Sequence, residues 1–67
     1  MADVYNTREK RKRAVRHMLD RLEKIVKAEQ QSLDNTPESL RETESFEIGE
    51  LAIEKINEAI DALNETY

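Results

Sequence analysis

The chain has 67 residues, with 11 Lys and Arg against 15 Asp and Glu, a formal net charge of −4, and no cysteine. A chain this short holds one domain at most and buries a small fraction of its surface. It has no thiol for a disulfide framework, a nucleophile or a metal ligand, and its net negative charge weighs against general nucleic-acid affinity.

Met1 to Tyr5 shows no helical pattern, and residues 1–6 are expected to fray. Asn6 is the first candidate N-cap, because Glu9 lies three residues on in the manner of a capping box, with Thr7 competing one residue later. From there to Asp34 no Gly or Pro interrupts a run of good helix formers, so the spacing predicts a first helix over 7–34. Val15, Leu19, Leu22, Val26, Glu29 and Leu33 form a stripe at steps of four and three, and Met18 and Ile25 widen it on one side. The first two turns, Arg8 to Arg13, are almost entirely charged.

Asp34, Asn35, Thr36 and Pro37 break the pattern, giving a linking turn over 35–43. Pro37 disfavours helical geometry in Thr36, which then reads as an N-cap followed by a first helical position. The second helix runs either from Pro37 directly or from a restart with Thr43 as its cap, where Glu44 and Glu47 suit the helix dipole. The restart is preferred, with Leu40 expected to fold over the bundle end as a plug.

The second helix is predicted over 44–65. Phe46, Gly49, Ile53, Ile56, Ile60, Leu63 and Tyr67 recur at alternating steps of three and four, a seam for shallow helix-on-helix packing of the coiled-coil kind. Gly49 within that stripe implies close approach of the neighbouring helix. Antiparallel alignment pairs Leu33 with Phe46, Glu29 with Gly49, Val26 with Ile53, Leu22 with Ile56, Leu19 with Ile60 and Val15 with Leu63. Tyr67 then falls near Lys12, and Arg8 to Arg11 overhang. The expected fold is an all-α antiparallel two-helix hairpin.

Two helices alone bury too little to offset the entropy of ordering them, so the hairpin is expected to self-associate into a four-helix bundle or larger helical assembly. Ile48, Leu51, Ala52 and Ala59, with Met18 and Ile25, flank the seam and are the candidate contact between hairpins. Charge supports the pairing. Residues 1–30 carry nine Lys or Arg against five Asp or Glu, and residues 31–67 carry two against ten. Side by side, such halves attract through weak surface ion pairs. No apolar run reaches signal-peptide or membrane-span length, which leads us to expect a soluble, unprocessed, cytoplasmic protein with no membrane partner.

The segment Asp34-Asn35-Thr36-Pro37-Glu38-Ser39-Leu40-Arg41-Glu42-Thr43-Glu44, followed by Ala52-Ile53-Glu54 and Glu58-Ala59-Ile60-Asp61-Ala62-Leu63, resembles a group of small uncharacterised helical-hairpin proteins of phages, prophages and mobile elements. In that group an Asn-x-Pro-Glu-x-Leu turn and a Ser/Thr-Glu cap link two helices. The resemblance covers roughly residues 20 to 65 and implies a genomic setting, which for a phage-encoded chain means the host cytoplasm; it implies no activity.

No motif for catalysis, a cofactor or a metal is present, and the expectation is a protein that is not an enzyme. His17 has neither a cysteine nor a nearby serine to activate. Glu29, at a seam position, is either a carboxylate reaching water at the hairpin's wider end or a buried polar residue fixing oligomer register. Two charged surfaces remain. Arg8, Lys10, Arg11, Lys12, Arg13 and Arg16 suit phosphates of a nucleic acid or nucleotide, although Tyr5 is the sole aromatic near them. Glu47, Glu50, Glu54 and Glu58 suit a basic groove of another protein. The expected function is therefore a phage or mobile-element interaction protein that binds a host macromolecule through a charged helical face, inhibition of host defence being one form of it. The alternative is a nucleic-acid or nucleotide-binding hairpin acting through the basic N-terminal cluster.

Overall fold

The structure, a computed structural model, describes residues 4–67. Two helices, α1 over Arg8–Asp34 and α2 over Glu44–Asn64, pack against each other as a hairpin. Their direction is fixed at both ends. Gly49 of α2 lies against Leu33 and Glu29 near the loop, while Thr66 and Tyr67 share a surface hollow with Arg8 and Lys12 at the far end. The helices are therefore antiparallel.

Thr7, not Asn6, caps α1. Its backbone is extended, at φ −124° and ψ 155°, and its Oγ1 accepts from the Lys10 amide at 3.1 Å. That moves Glu9 to the second helical position, where it favours the dipole but closes no capping box. Of the segment expected to fray, residues 1–3 lie outside the described residues. Val4 and Tyr5 form a turn held to α1, because Arg11 Nη1 donates to the Tyr5 carbonyl at 2.8 Å.

α1 ends without a glycine. The Asn35 amide donates to the Gln31 carbonyl at 3.0 Å, the Thr36 amide to Leu33 at 3.1 Å and the Thr36 hydroxyl to Ser32 at 2.9 Å. Thr36 thus closes the helix behind it instead of capping one ahead, which corrects the reading of Thr36 and Pro37 as a cap and first position. Pro37 adopts φ −58° and ψ 144°, outside helical geometry, and a single 3-10 turn follows over Glu38–Leu40. Thr43 then restarts the chain, its Oγ1 accepting from the Phe46 amide at 3.3 Å and donating to the Leu40 carbonyl at 2.8 Å. Leu40 is no plug. It stays half exposed, because the 3-10 turn carries it along the side of the seam and not across its end.

Leu19, Leu33 and Ile60 are the buried apolar side chains among the described residues. Val15, Leu22, Val26 and Glu29 on α1, with Phe46, Ile53, Ile56 and Leu63 on α2, are half-buried. Tyr67 is exposed. A Cβ on Gly49 would stand 2.8 Å from Leu33 Cδ2 and 3.2 Å from Glu29 Oε2, so the bare α-carbon is what lets the helices close there. Both ion pairs among the described residues, Lys24 with Asp20 at 3.1 Å and Lys55 with Glu58 at 3.6 Å, are exposed and lie within one helix. The expected attraction between the halves is thus not built from direct pairs across the seam.

Candidate interaction surfaces

Each residue turns a helix by about 100°, so the direction of every side chain follows from its distance in sequence to the seam. On α1, Ala14, Met18, Arg21, Ile25, Ala28 and Ser32 repeat at four and three and point about 110° to one side of the seam. On α2, Ile48, Ala52, Lys55, Ala59 and Ala62 do the same, whereas Leu51, seven residues before Glu58, points away from the seam along the outer edge of the hairpin beside the carboxylates. The helices are right-handed and antiparallel, which sends the two rows to the same side of the hairpin. Ser32 and Ser45 accordingly line one hollow with Leu40, and Gln30, Asp34 and Glu50 line another.

The hairpin therefore has two unlike faces. Met18, Ile25 and Ile48 are each more than half exposed on the first, where the ionised groups are Arg21 and Lys55. Carboxylates dominate the second. Glu47, Glu54, Glu58, Asp61 and Glu65 are all exposed and fall within about 60° of one another on α2. Glu50 departs from this stripe. It sits nearer the seam, in the hollow formed with Arg41, Phe46 and Ile53. Asp61 and Glu65 replace it, and the seven-residue repeat 47, 54, 61 was the sequence signal for the first of them.

The six basic residues are divided among three hollows that share Lys12 and Arg13. Arg8, Arg11 and Lys12 meet Thr66 and Tyr67 past the end of α2, with Glu9 among them. Lys12, Arg13 and Arg16 line an adjoining hollow with Glu9, His17 and Asp20. Lys10 faces Val4 and Tyr5. Consecutive residues point about 100° apart, so the run of six wraps its helix and carboxylates interrupt it. Its position has a structural use. Cations at the start of α1 oppose that helix's own dipole, but antiparallel packing sets Arg8 and Lys12 beside the C-terminal end of α2, which carries no basic residue in its last turn. At the loop end Arg41 plays the same part for α1, which also has none. Its Nε donates to the Thr36 carbonyl at 3.1 Å and its Nη2 reaches the Asp34 carbonyl at 3.5 Å.

His17 is exposed on the outer side of α1. Among the described residues no three His, Asp or Glu side chains are placed to hold a metal ion, and no buried side-chain nitrogen or oxygen lacks a partner. No described helix is long and apolar enough to cross a membrane. No known protein family matches the chain, and no curated protein or solved structure is similar to it.

Proposed function

We propose that this chain is a non-enzymatic interaction protein that self-associates through its apolar face and engages a basic macromolecular partner through the carboxylates of α2. The observation that carries the reading is the separation of faces. Met18, Ile25 and Ile48 stand more than half exposed on one side, while the acidic stripe holds the other. Exposed apolar area of this extent marks a contact surface, and a single-sign stripe steers association with an oppositely charged one. In the phage or mobile-element setting that the turn resembles, the partner is a host macromolecule, with inhibition of a host defence protein as one such role.

Charge density bears on the kind of partner. α2 carries six carboxylates, Glu44, Glu47, Glu50, Glu54, Glu58 and Asp61, over 21 residues, or one per about 5 Å of helix. Duplex DNA carries one charge per about 1.7 Å. The stripe therefore suits a basic patch on a protein better than it imitates a nucleic-acid backbone.

The test is anisotropy titration at physiological salt with two fluorescent probes, a lysine-rich peptide and an oligonucleotide. The reading expects salt-sensitive binding of the peptide that weakens at least tenfold in Glu47→Gln/Glu54→Gln/Glu58→Gln. Tight binding of the oligonucleotide, abolished by Arg11→Glu/Arg13→Glu/Arg16→Glu, would replace it with the phosphate-binding alternative.

A further inference from the structure

The apolar face has a definite occupant and orientation. We infer that it is covered by a second copy of this chain, related by a two-fold axis parallel to the helices, so that α1 of each copy lies on α2 of the other and both loops sit at one end. The inference rests on the self-association proposed above and adds the geometry.

Area and shape call for a second layer. The described residues expose 5623 Å², whereas a compact chain of 7.9 kDa exposes about 4,400 Å². The excess, about 1,200 Å² per chain, exceeds the roughly 800 Å² per partner of a standard interface and is in the range of obligate homodimers. The radius of gyration is 16.1 Å, against about 11 Å for a compact domain of this length. With principal extents of 52 × 23 × 15 Å, the hairpin is one layer of helices, and stable domains are built from at least two.

Charge selects the orientation. α1 carries nine Lys or Arg against five Asp or Glu, and α2 carries one against six. An axis perpendicular to the helices in the plane of the contact would stack α1 on α1 and α2 on α2, setting like charge on like along both edges. The parallel axis sets the basic edge of each copy on the acidic edge of the other. It also keeps the register of the hairpin itself.

The chain has no cysteine, so Ser39→Cys places a single spin label on the exposed loop. Sedimentation velocity gives the assembly state, and double electron–electron resonance gives the distance between loops. The expected result is a dimer with the labels within about 20 Å, since packed helical layers lie about 10 Å apart. A dimer whose labels approach the 52 Å length of the molecule would overturn the orientation and leave self-association standing. A monomer at tens of micromolar would overturn both.

Discussion

At Gly49 two opposing effects meet at one carbon. Replacing glycine by alanine inside a helix stabilises it by about 1 kcal/mol, but here the new methyl would stand 2.8 Å from Leu33 Cδ2, and Leu33 is one of the few buried side chains. Overpacking of this kind costs about 1 to 3 kcal/mol. Gly49→Ala is therefore expected to lower stability by up to about 2 kcal/mol net, read from the urea midpoint. In a Leu33→Ala background the same change should raise it, because the obstructing methyl is gone and the remaining neighbour, Glu29 Oε2 at 3.2 Å, is the end of a flexible side chain that can move aside. A stabilising Gly49→Ala in the parent chain would remove the close approach as the reason for this glycine. The need for a small residue was legible in the sequence, since Gly49 stands in an unbroken four-three stripe. That Leu33 would crowd it as closely as Glu29, its cross-seam partner, was not, because a side chain leans toward the N-terminal end of its helix and covers the preceding turn.

At the scale of elements, the two helices depend unequally on their caps. Thr43 holds both the Phe46 amide and the Leu40 carbonyl at the junction where α2 enters the seam. Thr7 holds the Lys10 amide on a stretch of α1 that overhangs the end of α2. Thr43→Ala should cost about 1 to 2 kcal/mol of global stability. Thr7→Ala should mainly fray the first turn, shortening amide exchange protection there while moving the midpoint little, and Asn6→Ala should do neither. Equal losses for the two threonines would mean that the overhang is packed as tightly as the rest. Helix extents were readable because apolar residues recur at four and three without interruption. The caps were less so, because Asn6 and Thr7 are adjacent residues of equally suitable chemistry, and the choice is made by which backbone turns extended. Thr36 misled for a related reason: a hydroxyl before proline serves the helix behind it as readily as one ahead. The acidic stripe was visible as a repeat, whereas the division of the basic run among adjoining hollows was not, because linear proximity hides the rotation between neighbours.

The molecule as a whole is one layer with an unfinished core. Among the described residues only Leu19, Leu33 and Ile60 are buried apolar side chains, and Met18, Ile25 and Ile48 face outward on one side. That the two rows share a side could be worked out only once the direction of α2 against α1 was fixed, for neither stripe alone says where its flank will point. The consequence is a sharp contrast for Ile48, which in a lone hairpin is solvated and tolerant, but in the proposed assembly would meet another chain. A charge placed there would be desolvated by association and so would oppose it. The most direct measurement is sedimentation velocity with far-ultraviolet circular dichroism on the parent chain and on Ile48→Glu at the same micromolar concentration. The account expects the parent to sediment at twice 7.9 kDa or a larger multiple and to be helical, and the variant to be monomeric with most of its helicity lost. A parent that is a stable helical monomer, with a variant melting at the same temperature, would contradict it.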